Sequence, residues 1–214
     1  MVDARRVRLG VAGIVAGALL LTGCGGGGGN GVTISTPGNH GYHGIYLDEA
    51  YQLPATELTD TAGKPFSLAS QKAPVKIVFF GYSHCPDICQ IVMSTIASAL
   101  AKLDAKQRAE VQVSFVTTDP ARDTEKVLRT YLDRFNPSFV GLTAPLARID
   151  AAGKPLHVSI EDGQKLPSGG YEVEHSTYAY GAVGSDVRVI WDQDTSPRSM
   201  ATDIIKLLKT KETA

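Results

Sequence analysis

A nearly continuous apolar run at residues 75–80 constrains the fold more than any other feature of the sequence. Its residues are mostly β-branched or aromatic, a composition that predicts a central strand buried on both faces. Helices must cover both sides of a sheet that contains such a strand. Gly81 follows this run, and apolar residues at helical spacing lie between residues 88 and 103. The pattern therefore predicts a strand that leads directly into a helix.

The remaining patterns extend this strand and helix into an alternating α/β order. They predict one domain over residues 46–214, since no repeat and no second linker interrupts it. The order predicts an α/β fold, a thioredoxin-like three-layer sandwich with a central mixed sheet and an N-terminal β-hairpin extension. The other predicted elements are a hairpin at 58–66, a strand at 111–116, helices at 125–135 and 146–151, a hairpin of strands 177–183 and 187–191, and a last helix from Pro197.

The first 23 residues have the organisation of an export signal. Arginines at positions 5, 6 and 8 precede an apolar stretch at residues 9–21, and small residues follow. This stretch is shorter than the roughly 20 residues that a transmembrane helix needs. Its end, Leu-Thr-Gly before Cys24, is similar to the bacterial lipoprotein signal, in which the cysteine is acylated after cleavage. We therefore expect residues 1–23 to be a lipoprotein signal peptide and Cys24 to be lipidated, with an ordinary secretory signal as the alternative.

A glycine-rich segment follows, and residues 24–45 are predicted to be a flexible tether. Removal of residues 1–23 would change the formal charge of the chain from −1 to −3, because three arginines and one aspartate are lost. An acidic chain has no general attraction to nucleic acid, so no nucleic-acid partner is expected. Attachment would come from the lipid on Cys24, which predicts a location on the extracytoplasmic face of the cell membrane.

Two cysteines lie where the predicted central strand turns into its helix, a position at which α/β proteins commonly hold functional sites. With Pro86 at the first helical position, Cys85 is predicted to cap the helix, where backbone N–H groups stabilise a thiolate. Cys89 follows four residues later, so both sulfurs face the same side. This spacing permits a disulfide or two thiolates that share a metal ion. A purely structural disulfide and two buried reduced cysteines are the alternatives.

His175 precedes the late hairpin, which a thioredoxin-like layout places beside the first helix. In that layout its imidazole would meet Cys85 and Cys89, whereas a histidine on the surface is the alternative. Two thiolates and an imidazole suit copper or zinc. Zinc normally takes a fourth ligand or holds a water molecule, and the sequence offers no evident fourth protein ligand, so copper is favoured over zinc.

Four motifs follow one another in a fixed order along the chain. They are FGYSHCPDIC at residues 80–89, VTTDPARDT at 116–124, GLT at 141–143 and HS at 175–176. Together they resemble the Sco/SenC family, exported thioredoxin-like proteins that deliver copper during cytochrome c oxidase assembly. The resemblance implies that Cys85, Cys89 and His175 bind copper, as Cu(I) or Cu(II), and that Asp119 supports them. A turn residue that caps its own backbone is the alternative for Asp119.

The resemblance also implies a function, which is transfer rather than catalysis. A metallochaperone would pass copper to the binuclear centre of the oxidase, with the copper-bearing subunit or another copper chaperone as its partner. A thiol–disulfide oxidoreductase that reduces the cysteines of that subunit is the second hypothesis. Thioredoxins, however, separate their cysteines by two residues and need no ligand histidine. A peroxidase that uses Cys85 and Cys89 as attacking and resolving thiols is the weakest hypothesis.

Overall fold

One eight-stranded sheet and a separate two-stranded ribbon organise the part of the chain that the structure describes. The structure is a computed structural model, and it describes residues 38–161 and 173–210. The strands are β1 (Ile45–Gln52), β2 (Glu57–Asp60), β3 (Pro65–Ser67), β4 (Val75–Gly81), β5 (Val111–Thr117), β6 (Val140–Thr143), β7 (Ile160–Glu161), β8 (Glu174–His175), β9 (Ala179–Val183) and β10 (Asp186–Trp191). The helices are α1 (Ile88–Leu100), α2 (Ala105–Ala109), α3 (Glu125–Leu132), α4 (Leu146–Gly153) and α5 (Pro197–Thr210), with a short 3-10 helix at Lys154–Leu156.

Strand β4 lies inside the sheet, as the apolar run at residues 75–80 predicts. The strand order is β1-β10-β9-β4-β5-β6-β2-β3, and every residue of β4 is buried. β4 pairs in parallel with β5, which pairs in parallel with β6. The strands on either side of these three are antiparallel to their neighbours. The predicted α/β fold with a central mixed sheet is therefore confirmed.

The side chains of β4 alternate between two apolar cores, one on each face of the sheet. Ile77 and Phe79 pack in a core with residues of α1, α3 and α5. Val78 and Phe80 pack in the other core with residues of α4. Helices thus cover both faces of the sheet, and the predicted three-layer sandwich is confirmed.

Both predicted hairpins are present. β2 and β3 pair antiparallel around a tight turn, in which Asp60 Oδ1 accepts two backbone hydrogen bonds of 2.8 Å. Gly63 completes this turn with a φ of +74°, a conformation that favours glycine. β9 and β10 pair antiparallel around Gly184, whose φ is +60°. The N-terminal hairpin joins the sheet through β6, so it extends one edge of the sheet.

The sequence patterns do not predict β1 or α2. β1 pairs antiparallel with β10 at the other edge of the sheet, but its register shifts between Tyr46 and Tyr51. Its residues therefore do not alternate strictly between buried and exposed positions. α2 has five residues, none of them buried, and it begins with a capping box between Asp104 and Gln107. β1 packs Tyr46 against one core and Leu47 and Tyr51 against the other, at irregular spacing. Neither element therefore produces a periodic apolar signal in the sequence.

The residues just before β1 pack against the domain. The Asn39 side chain donates to the carbonyl oxygens of Tyr42 and Gly44, at 2.6 and 2.7 Å. Asp203 on α5 accepts the backbone N–H groups of His43 and Gly44, at 2.9 and 2.8 Å. Tyr42 is buried in the same core as α1. The end of the predicted tether is thus held by hydrogen bonds and apolar contact.

The predicted signal peptide and most of the predicted tether lie outside the described residues, as does Cys24. The expectations for residues 1–23, for lipidation and for membrane location therefore stay predictions. Within the described ranges, no helix is long and apolar enough to cross a membrane.

Candidate functional site

The cysteine pair lies at the end of β4, around the loop that leads into α1. Gly81, the last residue of β4, allows this loop to pass close to Cys89. A Cβ atom at Gly81 would lie 3.0 Å from Cys89 Sγ and 2.8 Å from the ring of Phe79. The absence of a side chain therefore lets the second sulfur pack against the strand, where Cys89 is fully buried.

The prediction that Cys85 caps α1 is wrong, because Asp87 takes that position. The Asp87 carboxylate accepts the N–H of Ile88 at 2.6 Å, and the helix begins at Ile88. Carboxylates are among the preferred groups at helix caps. Cys85 lies in the preceding loop, where its sulfur accepts the N–H of Cys89 at 3.4 Å. The Cys85 sulfur therefore still accepts a hydrogen bond from a backbone N–H in the first turn of the helix.

The two cysteines are free thiols that interact with each other. Hydrogen bonding from the Cys89 thiol lowers the pKa of Cys85 to about 4, against the effect of burial, which raises it. The pKa of Cys89 is raised, first by the same hydrogen bond to Cys85, then by burial and by the charge of Cys85. Near neutral pH the reduced pair therefore holds one proton, with Cys85 as the thiolate.

His175 approaches this pair from β8, which pairs with β7 rather than with the main sheet. Its Nε2 atom lies 3.6 Å from Cys89 Sγ, and its Nδ1 atom lies 2.9 Å from the carbonyl oxygen of Ser176. Because a carbonyl oxygen only accepts, Nδ1 donates to Ser176, and Nε2 is the ring nitrogen that faces the sulfur. The rings of Tyr82 and Phe79 meet the imidazole edge-on, at centroid distances of 5.8 and 6.2 Å.

The donor set of these three side chains fits a soft metal ion. Thiolate sulfur and imidazole nitrogen are ligand types that suit copper. Among the described residues, however, no group of three or more His, Cys, Asp or Glu side chains is already arranged to hold a metal ion. Cys85 Sγ accepts the N–H of Cys89, and Cys89 Sγ lies next to the imidazole of His175. Metal binding would displace the Cys89 proton.

A groove with a volume of about 420 Å³ connects the site with solvent. Cys85 and His175 form part of its lining, whereas Cys89 is fully buried. Side chains of a second molecule can therefore approach the first sulfur and the imidazole from outside. The other lining residues are Tyr82, Pro86, Asp87, Ile88, Val173 and Thr177.

Asp119 is connected to the site through two other side chains. Its buried carboxylate forms an ion pair with Arg122, whose guanidinium carbon lies 5.6 Å from the centroid of the Tyr82 ring. Tyr82 in turn contacts His175. The Asp119 carbonyl oxygen also accepts the N–H groups of Arg122 and Asp123 and so closes its own turn. This position is compatible with both roles that the sequence leaves open for Asp119.

Sequence reasoning missed Asp123, which holds the cysteine loop. Its fully buried carboxylate accepts hydrogen bonds from Ser83 N at 2.9 Å, Ser83 Oγ at 2.5 Å and Thr117 Oγ1 at 2.7 Å. The His84 side chain also contacts this group of hydrogen bonds, because its Nδ1 atom lies 3.0 Å from Ser83 Oγ. The N-cap of α3 is the neighbouring Thr124, whose side chain accepts the N–H of Val127. No signal in a single sequence marks Asp123 as the anchor of the loop.

Alkylation of Cys85 is expected to persist at acidic pH, because its pKa is lowered to about 4. The thiolate is the nucleophile, so iodoacetamide should modify Cys85 as the pH falls from neutral, with loss of reactivity only near that value. Cys89, whose pKa is raised, should stay unmodified over the same range. Mass spectrometry with fragmentation of the labelled peptide measures both sites. In the Cys89→Ala variant the donor is missing, so the pH of half-maximal alkylation should rise. An unchanged midpoint would contradict this assignment.

In a comparison with protein families, most of the chain matches one family. The SCO1/SenC family model matches residues 49–209. The mitochondrial protein SCO2 of Saccharomyces cerevisiae is 37% identical over 143 residues, which are 66% of this chain and 46% of that protein. Across three curated relatives, the matched region spans between 42% and 64% of the relative's length.

Solved structures of similar proteins share the fold. The crystal structure of yeast Sco1 with copper bound has a TM-score of 0.67 and 29% sequence identity, and the match covers 74% of this chain and 89% of that chain. The structure of Bradyrhizobium japonicum ScoI with copper bound has a TM-score of 0.64 and 28% identity, with 71% and 96% covered. Both matches support the predicted thioredoxin-like fold.

Proposed function

This chain belongs to the SCO1/SenC family, and on that premise we propose that it is a copper-binding metallochaperone for the binuclear copper centre of cytochrome c oxidase. The observation that carries the proposal is the approach of Cys85, Cys89 and His175 at one end of β4. Two similar proteins have been solved with copper bound, and the donor set of this chain suits the same ion.

The protonation states of the two cysteines favour stepwise uptake of copper. Cys85 is the first ligand available, because its lowered pKa keeps it ionised at neutral pH. Cys89 would release its proton on binding, as metal-bound thiols do. His175 offers Nε2, since its Nδ1 is hydrogen-bonded to the carbonyl oxygen of Ser176. The groove leaves room for the ligands of an acceptor, so copper would leave by ligand exchange.

The proposal includes a place in the cell. The arginines, the apolar stretch and Cys24 in residues 1–24 support export and lipidation. A lipid on Cys24 and the tether of residues 24–45 would hold the domain at the extracytoplasmic face of the cell membrane. The acceptor there would be the copper-bearing subunit of the oxidase or another copper chaperone.

Copper titration of the full chain tests the proposal. We expect the reduced protein to bind one copper ion per chain, and Cu(II) to give an intense thiolate-to-metal absorption band. The matched control is the double variant Cys85→Ser/Cys89→Ser, which retains Cys24 and should give neither result. Reduced wild-type protein that takes up no copper, or a double variant that binds copper equally well, would exclude this function.

A thiol–disulfide oxidoreductase is a second candidate, favoured by the lowered pKa of Cys85 next to a second thiol. The Cys85 thiolate would attack a substrate disulfide and form a mixed disulfide, and Cys89, on losing its proton, would release the substrate. The substrate gains two thiols while the pair becomes a disulfide. Turnover of a disulfide substrate that requires both cysteines and is unaffected by His175→Ala would favour this function.

A further inference from the structure

His175 lies on a two-stranded ribbon that is separate from the main sheet. In this ribbon β8 pairs with β7 through two residue pairs, whereas both cysteines are carried by the end of β4 and the start of α1. A two-stranded ribbon is only marginally stable on its own. Side-chain contacts with the rest of the domain are therefore needed to keep the imidazole at its distance of 3.6 Å from the Cys89 sulfur.

The ring of Tyr82 makes such a contact with the imidazole. The two rings meet edge to face, with their centroids 5.8 Å apart and an interplanar angle of 86°. This is one of the arrangements that aromatic pairs prefer. The ring of Phe79 also meets the imidazole, at 6.2 Å, but Phe79 is fully buried inside β4. Tyr82 belongs to the loop that carries the cysteines, and it lines the groove.

The Tyr82 ring is itself held in place. Its backbone carbonyl oxygen accepts the N–H of Cys85 at 3.3 Å, and only 3% of the residue is exposed. The guanidinium carbon of Arg122 lies over the ring at 5.6 Å from its centroid, within the range of a cation–π interaction. The buried carboxylate of Asp119 forms an ion pair with Arg122. Tyr82 thus connects the cysteine loop, through its backbone, to the histidine, through its ring.

We propose that Tyr82 is a positioning residue whose ring holds the His175 imidazole in the orientation that binds copper, an inference that rests on the proposed function. A ligand that is already oriented loses less conformational freedom when it binds, so the complex is tighter. The bond from Cys85 N–H to the Tyr82 carbonyl oxygen does not depend on the side chain. Removal of the ring should therefore weaken the contribution of the histidine and spare that of the cysteines.

Substitution of Tyr82 in two backgrounds tests this inference. Tyr82→Leu removes the ring and should lower the affinity for Cu(I) about 10-fold, at the lower end of the range for groups that support metal ligands. Tyr82→Phe keeps an aromatic ring and should restore most of the lost affinity. In the His175→Ala background, Tyr82→Leu should cause no further loss, because the side chain through which it acts is gone. Competition with a Cu(I) chelator measures all four proteins.

Phe139→Leu is the matched control. Phe139 is a buried ring in the same apolar core, but it precedes β6 and does not belong to the cysteine loop. This variant should keep the wild-type affinity. The metal-free proteins give a second readout, the NMR resonances of the His175 ring protons, which are assigned by their loss in His175→Ala. These should shift in Tyr82→Leu, because a neighbouring aromatic ring displaces them, and should stay near the wild-type position in the control.

Three results would overturn the inference and leave copper binding intact. The first is a Tyr82→Leu variant with wild-type affinity. The second is a loss of affinity that Tyr82→Phe shares in full, and the third is a loss that persists unchanged in the His175→Ala background. Wild-type protein that binds no copper would instead refute the proposed function, and the inference with it.

Discussion

Replacing His175 with alanine is expected to weaken copper binding by at least about 100-fold. Loss of a residue that merely supports a metal ligand typically costs 10- to 100-fold in affinity, and loss of the imidazole itself should exceed that. The two sulfurs would remain, so some binding should persist. The Nε2 atom already lies 3.6 Å from Cys89 Sγ, so His175 can bind a copper ion at this sulfur without a large rearrangement of the site.

Competition with a chelator of known affinity for Cu(I) measures this effect on the reduced full chain. His43→Ala is the matched control, because the His43 side chain is exposed and its backbone N–H keeps the bond to Asp203. The control should bind copper as the wild type does. Equal affinities for the His175→Ala variant and the wild type would show that the imidazole is not a ligand and would leave the cysteines as a redox pair.

Replacing Asp123 with alanine is expected to affect both stability and copper binding. Three donors from Ser83 and Thr117 would lose their acceptor inside the protein. The free energy of unfolding should fall by about 3 kcal/mol, since each buried donor left unpaired costs about 1–3 kcal/mol and part of this cost is relieved by relaxation. The loop that carries Cys85 would lose its anchor, so copper affinity should also fall, by about 10-fold or more.

Asp203→Ala separates these two effects. Asp203 is also a fully buried carboxylate with three donors, which are the N–H groups of His43 and Gly44 and the Trp191 indole at 2.8 Å. Its loss should destabilise the protein by a similar amount, as measured by denaturant unfolding. Copper affinity, measured well below the unfolding midpoint of both variants, should fall only for Asp123→Ala. Equal losses of affinity would mean that Asp123 acts through global stability alone.

The core of the fold was predictable because its signals are local. The apolar run at residues 75–80 and the helical spacing that follows it predict β4 and α1, and the turn residues predict both hairpins. β1 has no such signal, because it pairs with residues more than 130 positions away along a shifted register. Pairing partners at that distance are set by the packed domain rather than by the strand's own sequence.

The candidate site was only partly predictable. The cysteine spacing permits a disulfide or a shared ion. It does not show that the carboxylate of Asp87, rather than Cys85, caps α1. Asp119 follows from a family motif, whereas Asp123 acts through hydrogen bonds to a loop 40 residues earlier.

His175 is carried by the β7–β8 ribbon, whereas both cysteines are attached to the end of β4 and the start of α1. A bound copper ion would therefore have ligands from two separate parts of the fold. A ligand from the acceptor would displace the imidazole while the two sulfurs stay bound to copper. Copper would then pass to the acceptor by the exchange of one ligand after another, without release into water.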